Sequence, residues 1–69
     1  MPEIVIYAVA GRSLEQKHGL LKDVTEAVVK NFNVDPDIVT VQIVEAPPEL
    51  KSKGGIPYSV RMPNLIGKK

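Results

Sequence analysis

Two residues near the start of the chain have the types and spacing for proton transfer. If Met1 is removed, Pro2 becomes the terminal residue and its nitrogen becomes a secondary amine instead of an amide. An α-amino group titrates near roughly pH 8 in peptides, and burial or a nearby cation lowers its pKa, so it can act as a base at neutral pH. Arg12 follows Gly11 and offers a guanidinium that can hold a carboxylate through two hydrogen bonds. The pair predicts proton abstraction alpha or vinylogous to a carbonyl.

Length and composition predict one small domain, residues 1–69, that depends on other subunits. Domains of 69 residues bury too little surface to be stable without disulfides, a metal or partners. The chain has no cysteine, and His18 is its single histidine, so neither disulfides nor a metal site is expected. Nine basic and eight acidic residues are spread along the chain, which disfavours nucleic-acid binding, and no apolar run reaches the roughly 20 residues of a membrane span. We expect a soluble, cytoplasmic oligomer.

The first half of the chain predicts a strand followed by a long helix. Glu3 to Val9 is rich in β-branched residues and apolar at nearly every position, which is typical of a strand buried on both faces. Ser13 is placed to cap a helix, with Gln16 three residues later completing a capping box. Apolar residues then recur at helical spacing from Leu14 to Phe32, and Asn33 can take the left-handed conformation that ends a helix.

A second strand follows and completes a βαβ unit. Asp35-Pro36-Asp37 predicts a capped single turn, and Val39 to Val44 alternates apolar and polar residues as a strand does. The two strands should be parallel, with a right-handed helical crossover between them. One helix covers only one face of two strands, so we expect another subunit to cover the second face.

The fold class predicted is α+β: a βαβ protomer over residues 2–45 with a C-terminal hairpin or arm over residues 46–69. Gly54-Gly55 permits a tight turn, and prolines punctuate the short apolar stretch from Tyr58 to Met62. This stretch is expected to form part of a small hairpin or an extended arm that pairs with a neighbouring subunit. Lys68-Lys69 is expected to be a disordered end.

The amino-terminal half resembles the short 4-oxalocrotonate tautomerase subfamily of the tautomerase superfamily, and the resemblance covers about residues 2–56. It is carried by Pro2, Gly11-Arg12-Ser13, Glu15-Gln16-Lys17, Glu45 and Gly54-Gly55. It implies βαβ protomers assembled as dimers and usually hexamers, without cofactor. It also implies an isomerase of aromatic hydrocarbon catabolism, in which Pro2 moves a proton along a dienol such as 2-hydroxymuconate while Arg12 binds a carboxylate.

The sequence departs from the family pattern at the remaining substrate-binding positions. The family's second arginine, which binds the keto acid end from an adjacent subunit, falls at Thr40. A hydroxyl does not replace that charge, and losing a cationic donor can cost a few kcal/mol of transition-state stabilisation. The family's hydrophobic phenylalanine, which helps to lower the pKa of the proline, falls in the loop containing Leu50 and Lys51. Leu50 could substitute for it, or Lys51 could instead supply a charge. Arg61 is a third candidate, reaching across an interface from the arm.

Two alternatives remain open from the sequence. Relatives with this fold that keep the proline protonated use it as an acid in dehalogenation, decarboxylation or hydration of small acids, and Thr40 makes such a change plausible. The chain could instead be one subunit type of a mixed oligomer, lacking full activity alone, whose partner chain carries the missing cation.

Overall fold

The computed structural model describes residues 1–65, with side chains described through Arg61, and it confirms the predicted α+β protomer. A βαβ unit comes first, and a small hairpin and a second helix follow it. Neither helix in the described residues has the length and hydropathy that crossing a bilayer requires. The elements are β1 (Glu3–Val9), α1 (Leu14–Phe32), β2 (Thr40–Ala46), β3 (Ser52–Lys53), β4 (Ile56–Pro57) and α2 (Tyr58–Leu65), with single 3₁₀ turns at Pro36–Ile38 and Pro48–Leu50.

Both ends of α1 lie where the sequence predicts them. The Gln16 backbone N–H donates to the Ser13 hydroxyl at 3.1 Å, and the Ser13 N–H donates to the Gln16 side-chain oxygen at 3.0 Å, so the capping box is complete. At the other end Asn33 has φ 58° and donates its N–H to the Val29 carbonyl. The helix therefore begins and ends by satisfying backbone groups that would otherwise lack partners.

The two long strands pair in parallel, in the register Glu3 with Thr40 through Val9 with Ala46. The ladder continues past both strand ends. Thr40 N–H donates to the Pro2 carbonyl at 3.1 Å, and Ala10 N–H donates to the Ala46 carbonyl at 2.9 Å. This pairing fixes Pro2 at the amino end of the sheet and the residues after Ala10 at its carboxyl end.

Only one face of this two-stranded sheet is covered in a single chain. Along β1 the side chains alternate between exposed and half-buried, with Ile4 and Ile6 on the covered side. On the other side Val5 is 42% exposed and Tyr7 is 73% exposed. The single chain leaves the second face of β1 open, because α1 is one layer, and burial of that face by another subunit stays a prediction. Among the side chains described, none is fully buried.

The carboxyl-terminal segment forms the predicted hairpin but not the predicted extended arm. Gly54 and Gly55 have φ of 63° and 82°, values that favour glycine, and they form the turn between β3 and β4. Tyr58–Leu65 form α2, so of the hairpin and the extended arm that the sequence allows, only the hairpin is present in the described residues. Pro57 directly precedes the helix, where a missing N–H removes no helical hydrogen bond. The expectation of disorder at Lys68-Lys69 lies outside the described residues.

The open sheet face predicts that the protomer depends on association. We expect Val5→Asp to dissociate the assembly and lower the unfolding midpoint, because a carboxylate on that face would lose its hydration wherever another copy covers it. Sedimentation velocity and thermal unfolding across a dilution series would measure both effects. Ala27→Asp adds the same charge to the exposed side of α1 and is the matched control. Equal sedimentation of the two variants and the parent would contradict the prediction.

Candidate active site

Pro2 lies at the amino end of β1 with its nitrogen outside the sheet ladder. Its carbonyl accepts the hydrogen bond from Thr40, whereas its ring nitrogen has no hydrogen to donate. Met1 is 92% exposed and makes no backbone hydrogen bond within the described residues. Removal of Met1 would therefore convert the Pro2 nitrogen into an amine without breaking any of the hydrogen bonds that hold β1 in place.

A cavity of about 560 Å³ opens at this end of the sheet. Its volume falls within the range of small-molecule sites. We call it the proline pocket, and it is lined by Met1, Pro2, Phe32, Val34 and Ile38. The end of α1 and the turn before β2 supply its walls, because α1 runs back from the carboxyl end of the sheet to its amino end. All five lining residues are apolar, so the Pro2 nitrogen borders an apolar surface.

A second cavity, of about 310 Å³, lies at the opposite end of the protomer. We call it the arginine pocket, and it is lined by Arg12, Gln16, Lys17 and Leu20. Lys17 Nζ lies 3.0 Å from a Glu45 carboxylate oxygen, with the two side chains 26% and 28% exposed. This pair joins the first turn of α1 to the end of β2. Of the ion pairs formed within the described residues, none involves Arg12.

A single chain does not bring the predicted base and the predicted cation together. Pro2 precedes β1 and Arg12 follows it, and seven strand residues at roughly 3.3 Å each separate them by roughly 23 Å or more. The parallel ladder fixes this distance, since neither residue can move toward the other without breaking strand pairs. A small acid held by Arg12 can reach a Pro2 nitrogen only if that proline belongs to another copy.

The other predicted substrate-binding residues lie in two groups. Thr40 is exposed at the start of β2, at the same end as Pro2. Leu50, which is 78% exposed, and Lys51, which is half-buried, follow the far end of β2. Arg61 Nη1 donates to the Lys53 carbonyl at 2.8 Å, so this guanidinium holds α2 against the hairpin of its own chain.

Three residues of the proline pocket were missed by sequence reasoning. Phe32 was assigned only to the apolar stripe of the helix, and Val34 and Ile38 were given no role. The predicted βαβ topology was the signal that could have found them. A helix that connects two parallel strands runs antiparallel to them, so the end of α1 lies near the amino end of β1. Within residues 1–65, no three histidine, cysteine, aspartate or glutamate side chains are grouped so as to hold a metal ion.

Comparison with known proteins identifies the family to which this geometry belongs. The family model described as tautomerase enzyme matches residues 2–51, which is most of the chain and includes both Pro2 and Arg12. The chain belongs to the tautomerase family. A probable tautomerase from Bradyrhizobium diazoefficiens is 53% identical over 55 residues, which cover 80% of this chain and 82% of that protein.

Two further relatives carry more specific descriptions. A 2-hydroxymuconate tautomerase from Pseudomonas putida is 37% identical to this tautomerase-family chain over 59 residues, covering 86% of this chain and 94% of that protein. A solved heterohexameric 4-oxalocrotonate tautomerase from Chloroflexus aurantiacus superposes with a TM-score of 0.80 at 34% identity, covering 86% of this chain and 95% of that one. The expected family and fold are thereby confirmed.

Proposed function

We propose that the protein is an isomerase that moves a proton between the enol and keto forms of a small unsaturated 2-hydroxy or 2-keto acid such as 2-hydroxymuconate. The observation that carries the proposal is the position of Pro2. Its nitrogen takes no part in the sheet ladder and borders an apolar cavity at the strand entrance. Family membership and the 2-hydroxymuconate tautomerase relative support the reaction class. We further propose that the reaction needs no cofactor and takes place in the cytoplasm.

In the proposed reaction the Pro2 amine is first a base and then an acid. Its neutral nitrogen accepts the proton of the 2-hydroxyl group, and electrons shift along the conjugated chain as the carbonyl forms. The resulting secondary ammonium ion then donates the same proton to a carbon further along that chain, so no atom is gained or lost. Arg12 holds a substrate carboxylate during both steps, which fixes the reacting carbon near the nitrogen.

The separation of Pro2 and Arg12 leads us to propose that each site forms between two copies. The open face of β1 and β2 supplies a surface for such contact, and a closed ring or hexamer would repeat the same site at each equivalent interface. An assembly of identical chains is our leading proposal, with a trimer of dimers as its expected form. Because Thr40 lacks the family's second charge, a mixed assembly like the heterohexameric relative is the alternative.

The proposed role of Pro2 predicts a large loss of activity when its ring is removed. We expect Pro2→Ala, processed to a free alanine, to lose about a hundredfold or more of the 2-hydroxymuconate ketonisation rate, since general-base catalysis contributes at least that much. An ultraviolet assay would follow ketonisation, and intact mass would show that Met1 is absent from both proteins. Pro47→Ala, in the exposed loop after β2, is the control. Unchanged turnover by Pro2→Ala would end the proposal.

A shared site predicts that two inactive variants rescue each other. Pro2→Ala and Arg12→Ala subunits, unfolded together in equal amounts and refolded, should regain about a quarter of wild-type activity, because a quarter of random pairings unite an intact proline with an intact arginine. Each variant refolded alone is the control. If the mixture stays as inactive as its components while mass spectrometry shows mixed oligomers, both residues act from one chain and the proposed geometry is wrong.

A second candidate function is acid chemistry by a protonated Pro2, as in dehalogenation, decarboxylation or hydration of small acids. Thr40, which leaves the family's second cationic position neutral, favours it, because removing a nearby cation makes protonation of the amine easier. The two roles predict opposite pH dependences. With a base, kcat/KM for ketonisation rises with pH as the amine loses its proton; with an acid, the rate falls over the same range.

A further inference from the structure

We propose that the proline pocket binds the uncharged, apolar end of a monocarboxylate substrate, so that the protein prefers 2-hydroxydienoates with one carboxylate over dicarboxylates such as 2-hydroxymuconate. The inference rests on the proposed function and narrows its substrate class. It comes from the residues at the amino end of the sheet. Those that line the proline pocket are apolar and offer no cationic side chain to a second carboxylate.

The first step of the inference is the wall of the pocket. Phe32, Val34 and Ile38 surround Pro2 with aliphatic and aromatic carbon, and Phe32 is 66% exposed in the protomer, so its ring is accessible to a ligand. A methyl or alkyl group placed there loses unfavourable contact with water. A carboxylate placed there would lose its hydration and gain no hydrogen-bond donor from these side chains.

The charges nearest to the pocket in the chain are of the wrong sign for a second carboxylate. Glu3 follows Pro2, Asp35 caps the turn Pro36–Ile38, and Asp37 lies within that turn. The Asp35 carboxylate accepts the Asp37 N–H at 2.9 Å, which fixes it at the start of that turn. These side chains are exposed, so solvent and salt weaken their repulsion of an anion. All three nevertheless disfavour a second carboxylate at this end of the sheet.

Within the described residues, no lysine or arginine side chain lines the proline pocket. Thr40 is neutral and lies beside Pro2 in the ladder. Lys30 is in the last turn of α1, but it is two residues before Phe32, and residues two apart point to different sides of a helix. Arg12 and Lys17 belong to the arginine pocket at the other end of the protomer.

The two pockets therefore divide the substrate between them. Arg12 of a neighbouring copy binds one carboxylate, the conjugated chain passes the Pro2 nitrogen, and the far end of that chain enters the proline pocket. Whichever carboxylate of a dicarboxylate Arg12 binds, the other one meets the apolar wall. A methyl group in the same position meets a surface that suits it.

The test compares two substrates that differ only at the far end. Ketonisation of 2-hydroxyhexa-2,4-dienoate, which ends in a methyl group, and of 2-hydroxymuconate, which ends in a carboxylate, would be measured at one pH and ionic strength. We expect kcat/KM to favour the methyl substrate by about tenfold or more, since a carboxylate against the apolar wall loses hydration without gaining a donor, whereas a methyl group is favoured there. Equal rates, or a preference for the dicarboxylate, would overturn the inference while leaving the proposed isomerase intact.

Variants of Phe32 test whether the proline pocket is the source of the preference. Phe32→Lys places a cation in the wall and should reverse or abolish the preference, whereas Phe32→Leu keeps the wall apolar and should retain it. If Phe32→Lys leaves the preference unchanged, the pocket does not select the substrate and the inference fails. Loss of assembly by Phe32→Lys alone, seen by sedimentation, would show that a neighbouring copy fills the pocket and would also overturn it.

A binding measurement separates failure of the inference from failure of the proposed function. If neither substrate is turned over by protein of confirmed mass without Met1, the proposed reaction is wrong. Hexanoate and hexanedioate, which cannot tautomerise through a dienol, would then be titrated while the backbone amide signals of Phe32 and Val34 are followed by NMR. Tighter binding of hexanoate, with shifts at these amides, supports the pocket assignment. Equal or tighter binding of hexanedioate contradicts it.

Discussion

Parallel pairing of β1 with β2 is the constraint on which the rest of the structure depends. Two parallel strands cannot be joined by a tight turn, so the chain must cross over from one end of the sheet to the other, and α1 makes that crossing. The pairing separates Pro2 from Arg12 by the length of a strand. The same crossing brings Phe32 to the proline end and Lys17 to the arginine end. One topological requirement thus places the proline pocket and the arginine pocket at opposite ends of the protomer.

The single crossover helix also leaves the protomer without a complete hydrophobic core. One helix packs on one face of two strands, and no described side chain is fully buried. The long-range ion pair between Lys17 and Glu45 cannot make up this deficit, because partly exposed pairs contribute at most about 1 kcal/mol. Its effect is to hold the start of α1, and with it the turn carrying Arg12, against the end of β2. The open sheet face is a surface on which another copy can supply the missing layer. In the assembly that we propose, the same contact would stabilise the protomer and complete the site.

Local sequence rules were enough for the elements whose ends depend on nearby residues. The Ser13–Gln16 capping box, the left-handed Asn33 and the Gly54-Gly55 turn were all predictable, since each depends on backbone groups only a few positions away. The exposure of the second face of β1 was not predictable from its apolar run, because burial of that face depends on other chains. The helix at Tyr58–Leu65 was not predicted because Pro57, directly before it, is compatible with a helix start as well as with a break. Its hydrogen bond from Arg61 to the Lys53 carbonyl depends on tertiary placement. The proline pocket likewise required the three-dimensional return of α1.

The hydrogen bonds between β1 and β2 explain why proline suits the position directly before β1. Any other residue at this position would have a backbone N–H or a primary amine, with donors that must find partners at the sheet edge. Proline contributes its carbonyl to Thr40 and has no amide hydrogen, so the hydrogen bonds that place β1 are the same before and after Met1 is lost. The ring also prevents rotation about the N–Cα bond, which fixes the direction of the nitrogen lone pair relative to Cα. If Pro2 is the proton-transferring amine that we propose, its ring sets that direction, and the arginine that binds the substrate comes from another subunit.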